Sequence, residues 1–480
     1  MPDVFDWRRS RIPVTSPALV CVLIALGTAV GLLPWQTTLF GLLTAVAFWM
    51  GMRRPDWGLG FLALTIPMQT HVKIGIPPEN LTWTKVVVWS LLAGWSVSLL
   101  LSRQRVRIDF VTVATFVLVG VLALTVWNAR DHSLWLAETY RWLVTAFVAS
   151  LAFNTFRRGG SPLPLLLGSV AGVGASVCLA AWQVLFGVGP ESFDVRGYLR
   201  GYGPFTHPNQ LALYLETTIP LFLALAIGST GRLSADRQWF LRDRFRLLWS
   251  FGFAVGMTGL ILSQSRGGFV GMAAGLTTVL VLRRPGWRLT LVRLAPFAAI
   301  GAIALLTIAI GMVGAGMWEF SSGETLVTPA NFAVQERLSH WTAAVEMAKA
   351  HPLLGVGAGN YDNNYRDFTE VWRFRIGRGH AHDTYLHFLA QSGVAGLAAY
   401  IALLIGVILI IVRTLRILPE GTRATVVIGA VGITVAICAH AVFEYAHVLS
   451  LNLQLVMVWA MALSIGTEAW NERANGGRVS

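Results

Sequence analysis

Runs of apolar residues, broken by short charged or Pro/Gly segments, recur along the whole chain. They fall near 17–33, 37–51, 57–70, 83–101, 108–127, 141–155 and 163–186, then near 209–228, 246–263, 267–283, 291–315, 394–413, 424–441 and 445–467. An α-helix crosses a bilayer core with about 20 apolar residues, so most of these runs have the length of a transmembrane span. The pattern predicts an all-α polytopic membrane protein of about 12–14 transmembrane helices. Residues 1–480 form a single integral membrane domain in this reading, and one long polar segment, 316–393, is inserted between spans. Composition agrees: 55% of residues are hydrophobic and 13% charged, against about a quarter charged in ordinary soluble domains.

The net charge is +13, from 37 basic and 24 acidic residues. In a soluble protein such an excess suggests nucleic acid, but here it is nearly all arginine, spread through short loops. The pattern therefore marks topology, and no nucleic-acid partner is expected. Basic residues at 8–11, 53–54, 103–107 and 157–158 alternate onto one side, followed by those at 232–246, 283–293, 413–423 and 473–478. By the positive-inside rule that side is cytoplasmic, with both termini inside. Cys21, Cys178 and Cys438 all lie in apolar runs without metal-ligand spacing, which excludes a disulfide framework or zinc site.

The long external segment is not featureless. Val334, Leu338, Trp341, Val345 and Ala348 recur at helical spacing, predicting an amphipathic helix over the bundle that His351-Pro352 ends. Gly355, Gly357 and Gly359 follow as a turn; coming after a helix, they are no dinucleotide fingerprint.

Three stretches carry candidate chemistry on the external side. The first runs from Arg196 through Arg200 to His207 and Asn209, where two guanidinium groups on a Gly-rich loop suit an anion. The second is Ser265-Arg266-Gly267-Gly268, which places an arginine at a membrane edge with almost no loop around it. The third, Arg378-Gly-His380-Ala-His382-Asp383 with His387, offers side chains that take a proton near neutral pH. His380 and His382 also have the form of a metal pair, but no third ligand at suitable spacing completes it, so no metal is assigned. Asp383 either orients a histidine or caps the helix that starts there. Glu216 inside a span needs a partner, for which an external arginine is a candidate; His440, Glu444 and His447 gather near the ends of the last two spans and have the look of helix ties.

The order of these elements resembles the O-antigen ligase and polymerase family. His382-Asp383, nine residues, then Gly393-Val-Ala-Gly396 is similar to the family's histidine signature, with Asp383 where an amide or serine is usual. Arg337 with Trp341, the segment Pro352 to Asn360, and Ser265-Arg266-Gly-Gly are similar to further family segments. The resemblance covers roughly residues 190 to 400. It implies a GT-C-like membrane glycosyltransferase of the bacterial inner membrane, with its active site on the periplasmic face and undecaprenyl-diphosphate-linked glycan as donor. The acceptor is lipid A core for a ligase or another lipid-linked glycan for a polymerase. No cofactor is implied. His382 would act as general base and Arg266 would stabilise the diphosphate. Arg196, Arg200, His207, Asn209, Arg337, Arg378, His380 and Asp383 would contact substrate. From a different class, a transporter or flippase of lipid-linked sugars would use arginines along a path; no matching pair of broken spans in two halves supports it.

Overall fold

The computed structural model describes residues 35–70, 82–195, 197–228, 243–284, 332–369, 374, 377 and 379–476. The expected spans at 17–33 and 291–315 lie outside these, as do Arg196 and Arg378. The described part is all-α apart from a two-residue ribbon. In chain order the helices are α1 Trp35–Arg53, α2 Pro55–Thr65, α3 Trp83–Ser102, α4 Phe110–Leu124, α5 His132–Arg157 and α6 Leu163–Phe186. The ribbon pairs β1 Asp194–Val195 with β2 Tyr198–Leu199. Then come α7 Pro208–Glu216, α8 Ile219–Ala226, α9 Asp243–Ser263, α10 Arg266–Leu282, α11 Phe332–Ala350, α12 Tyr361–Phe368, α13 Thr384–Ile417, α14 Thr422–His440 and α15 Leu451–Ala474.

Every other expected span coincides with a helix or helix pair. Among the described residues, seven helices are long and apolar enough to cross a membrane, with two shorter apolar ones at Thr38–Arg53 and Arg266–Leu282. The helix α5 is 26 residues long and carries Glu138 and Arg141 within it. The span expected at 209–228 is broken at Thr217 and Thr218. Pro220 enters the first turn of α8, and a proline has no N–H to continue the preceding ladder. The two threonine hydroxyls instead donate to the carbonyls of Tyr214 and Leu215.

Helices α14 and α15 are the centre of the bundle: 78% of each apolar window is buried, against 33% for Phe110–Asn128 and 28% for Phe245–Ser263. The peripheral helices show Phe116, Val117, Leu124, Leu247 and Phe251 outward. In water such faces would be costly, and in lipid they are solvated. Gly271 and Gly275 bring α10 onto α14: a Cβ at Gly275 would lie 2.7 Å from the Gly432 carbonyl oxygen, so only glycine allows that approach.

Loops assigned to the same side by charge also meet in space. The Arg107 backbone N–H donates to Asn154, and the Arg158 guanidinium to the Arg105 carbonyl. At the other end, Asn128 donates to the Gly355 carbonyl and the Asp131 N–H to Asn360.

The amphipathic helix forms as α11, but its buried face is not the apolar stripe. Gln335, Ser339, His340, Ala343, Ala344 and Met347 are buried, whereas Val334 is 55% exposed and Leu338, Trp341, Val345 and Ala348 are half-buried. Two polar residues of the inner face find partners in the chain: Ser339 bonds Tyr365 and Thr369, and His340 bonds Tyr361 and stacks on Tyr365. The outward stripe suits an interfacial helix.

Candidate active site

Three connections converge at one end of the bundle. The first is the loop before α13. Asp383 is the N-cap of α13, its carboxylate accepting from the Leu386 N–H at 2.8 Å. His382, just before it, sits at φ 52°, a left-handed backbone conformation uncommon outside glycine. Gly393 kinks α13 nine residues into it at φ 62°, ψ −165°; a Cβ there would meet the Leu353 carbonyl at 2.3 Å. Through this kink the turn 352–357 docks on α13, with the Val356 N–H donating to the Ala390 carbonyl and the Gly357 N–H to the Gln391 carbonyl.

The second is the connection from α14 to α15. Glu444 is 3% exposed, and its carboxylate is a hub. Its Oε1 lies 3.2 Å from His382 Nδ1, 3.5 Å from His380 Nδ1 and 3.1 Å from the Tyr445 N–H, which donates to it. Its Oε2 accepts from Asn209 Nδ2 at 2.7 Å. Thr384 fixes the same connection, its hydroxyl donating to the Glu444 carbonyl and accepting from the Ala446 N–H. Although burial alone would raise it, the His382 and Asn209 hydrogen bonds and the nearby His380 hold the Glu444 carboxyl well below the usual range.

The third is the loop from the ribbon into α7. Arg200 donates to Asn209 Oδ1 and to the Ser263 carbonyl, each at 2.9 Å, so it links α7 to the end of α9. His207 is the N-cap of α7, its Nδ1 accepting from the Asn209 N–H at 3.2 Å. Burial, with Arg200 adding to it, lowers His207 to about 4. His380 is lowered to about 4 by burial as well. Both rings are therefore neutral at neutral pH.

Burial lowers the Arg200 guanidinium, and the charges of Arg337 and Arg266 lower it further, which places all three cations within electrostatic reach. Arg266, at the start of α10, is exposed, and Arg337 on α11 is half-buried. Among the described residues, neither has a hydrogen-bond or ion-pair partner. Three mutually repelling cations with one nearby carboxylate are an arrangement that can attract an anion. At its floor Ser265 caps α10 by accepting from the Gly268 N–H, and a side chain at Gly267 would collide with His440.

Of the residues singled out from sequence, the structure brings together Arg200, His207, Asn209, Arg266, Arg337, His380 and His382. Asp383 adjoins them, but its carboxylate caps the helix and burial raises it to about 7. Glu216 is paired with His440, at 3.0 Å between carboxylate and Nδ1, and not with an external arginine. The three residues taken as helix ties separate: His440 goes to Glu216, His447 bonds Tyr400 at 2.8 Å, and Glu444 joins the site. Glu444 also completes the metal set that sequence spacing lacks. The candidate ligand atoms of His380, His382 and Glu444 lie within 4.8 Å of one another, a set that can hold a divalent ion. An ion there would displace the hydrogen bond between His382 and Glu444. Sequence analysis also missed the Glu138–Arg141 pair on α5, which bonds Tyr445 beside Glu444. Opposite charges three apart in an apolar run were the available signal.

Residues 251–401, from α9 into α13, match the family model described as O-antigen ligase. The chain carries an O-antigen ligase family domain. The match includes Arg266, Arg337 and His382, while Arg200, Asn209 and Glu444 reach the same site from outside it. No curated protein matches the chain. The O-antigen ligase family implies a membrane enzyme of glycosyltransferase type acting on lipid-linked glycans.

Proposed function

We propose that the protein is an O-antigen ligase: a GT-C-like glycosyltransferase that moves glycan from undecaprenyl diphosphate to a hydroxyl of lipid A core on the periplasmic face of the inner membrane. The observation that carries this reading is the 3.2 Å contact between His382 Nδ1 and the buried Glu444 carboxylate, beside the guanidinium groups of Arg200, Arg266 and Arg337. An ionised Glu444 takes the Nδ1 proton as its hydrogen-bond donor, which leaves Nε2 with its lone pair as the base. The acceptor hydroxyl oxygen attacks the anomeric carbon and its proton passes to His382 Nε2. The bond from that carbon to the diphosphate oxygen breaks, and the configuration inverts. The electron pair leaves on the diphosphate, where Arg266, Arg337 and Arg200 stabilise the developing charge. Arg196, between β1 and β2 in the sequence, and Arg378, shortly before α13, belong to the same proposal, as does substrate contact by His207 and His380.

The test is transfer by purified protein from lipid-linked oligosaccharide, resolved on a gel with and without lipid A core. A single shift that requires the core supports the ligase. A ladder formed without the core would establish a polymerase instead. Transfer by a folded His382→Ala protein would remove the proposed base, and lack of transfer by the wild type in both lanes would favour a transporter.

A further inference from the structure

The end of the bundle opposite the site's histidines and arginines holds a cavity of about 440 Å³, on the side where the short arginine loops meet. It forms because α1 and α2 leave their shared turn for different partners. Helix α1 packs on α3 through glycines: a Cβ at Gly51 would strike the Leu91 carbonyl, and one at Gly94 that of Phe48. Helix α2 packs on α6 in the same manner, since a Cβ at Gly168 would strike the Gly60 carbonyl. Arg54 alone separates α1 from α2, and Pro55 opens α2, so the two pairs part at that point. The end of α3, with Trp95, Ser98 and Gln104, and the Gly159-Gly160 turn after α5 close the remaining sides.

Three guanidinium groups converge here: Arg53 ends α1, Arg54 forms the turn and Arg158 follows α5. Among the described lining residues one carboxylate faces them, that of buried Asp56, which pairs with Arg54 at 3.3 Å. Arg158 gives an N–H to the Arg105 carbonyl at 3.0 Å, and Arg53 has no hydrogen-bond or ion-pair partner among the described residues. The lining therefore carries an excess of positive charge, and planar guanidinium forks complement phosphate oxygens. Its volume falls within the range of ligand sites, about 300–1,000 Å³. Arginines that serve topology alone need only stand in a loop, whereas these three share a walled cavity. Near them in the chain Trp49, Trp57, Leu100 and Leu101 are exposed, an aromatic and apolar rim of the kind found where helix ends meet lipid. A soluble anion would have no use for such a rim.

We infer that this cavity binds the phosphodiester headgroup of an anionic phospholipid, with Arg53 and Arg158 on the phosphate oxygens and the acyl chains lying along the exposed residues of α1 and α3. Basic cavities between helices on the cytoplasmic side suit such headgroups. The site stands at the far end of the bundle from the proposed transfer chemistry and does not depend on it.

Full-length protein in an uncharged detergent, titrated with phosphatidylglycerol or phosphatidylcholine and followed by native mass spectrometry, tests it. Wild type should bind phosphatidylglycerol at least tenfold more tightly than phosphatidylcholine, and saturation should raise the thermal midpoint. Each arginine near an anionic headgroup contributes roughly fivefold in affinity, so Arg53→Gln should weaken binding about fivefold, and Arg53→Gln combined with Arg158→Gln at least tenfold. Arg416, exposed on the side marked by the same charge pattern but outside the cavity, is the control, and Arg416→Gln should bind as wild type does. Equal affinity for the two lipids, unchanged binding by a folded Arg53→Gln protein, or an equal loss in Arg416→Gln would overturn the site. Glycerol 3-phosphate is the soluble probe: if it displaces the lipid at equal concentration, the cavity belongs to a free phosphate ester and the lipid assignment is overturned.

Discussion

Replacing Glu444 by glutamine isolates what the buried carboxylate does. The side chain keeps its shape, but the hub it fills is surrounded by donors: Asn209 Nδ2 at 2.7 Å on one oxygen, and the Tyr445 N–H and His382 Nδ1 on the other. A glutamine must turn its NH₂ toward one of these donors whichever way it is placed. If it faces Asn209, that amide can flip only by breaking its bond from Arg200. If it faces His382, the histidine must offer Nδ1 as acceptor, moving its proton to Nε2 and abolishing the base. A hydrogen bond to a charged group contributes about 1.5–3 kcal/mol, which corresponds to roughly 10- to 150-fold in rate. Loss of the productive tautomer adds to this, and the equivalent change in the serine protease triad costs about 10⁴ in kcat. A fall in kcat of about 10² to 10⁴ is therefore expected, with donor KM within about threefold because the arginines remain. Single-turnover transfer with saturating acceptor, alongside thermal unfolding to confirm the fold, measures this. A folded Glu444→Gln enzyme with kcat within twofold of wild type would refute Glu444 as the positioning residue for His382.

The remaining expectations concern the anion site, the histidine loop and the kink. Arg266→Ala and Arg337→Ala should each raise donor KM tenfold or more in titrations of lipid-linked donor, and Lys at either position should restore only part, since a point charge lacks the guanidinium fork. Histidines lowered in the fold resist protonation: His207 and His380 to about 4 and His447 to about 3. Their neutral forms stabilise the fold fully above about 6.5, and each loses roughly 3 kcal/mol as pH falls through the interval toward 4, so the thermal midpoint should drop on acidification. Asp383 has the opposite sign, because its carboxyl is raised to about 7 and charging it in the fold is costly. Stability is therefore lost as pH rises from about 4 to 7, by at most about 4 kcal/mol. Asp383→Asn keeps the helix cap and should raise the midpoint at pH 8, with the gain vanishing toward pH 4. Gly393→Ala should abolish folded, active protein in detergent extracts, because φ 62° with ψ −165° is nearly forbidden to other residues and the added Cβ strikes the Leu353 backbone.

Much of the architecture was legible because lipid imposes it: a backbone crossing hydrocarbon must be helical and apolar, and that requirement is written locally in the chain. The arginine and histidine stretches were legible for a related reason, since charge and ionisable groups at membrane edges are costly unless they have a role. Pairings were not. Glu444 stands 62 residues from His382, and His440 stands 224 from Glu216; nothing in local spacing records that these meet. Which face α11 buries was not legible either, for a different physical reason. Hydropathy ranks Ser339 and His340 as outward residues, yet both are buried because Tyr361, Tyr365 and Thr369 satisfy them, and a satisfied polar group carries little burial cost. That inversion bears on function. By packing its polar face inward, α11 sets His340 5.4 Å from the His382 ring and brings Arg337 within electrostatic reach of Arg200. Packed on its apolar stripe, the helix would turn the polar face that carries His340 away from the bundle. The polar inner face of α11 is thus part of how the site is assembled.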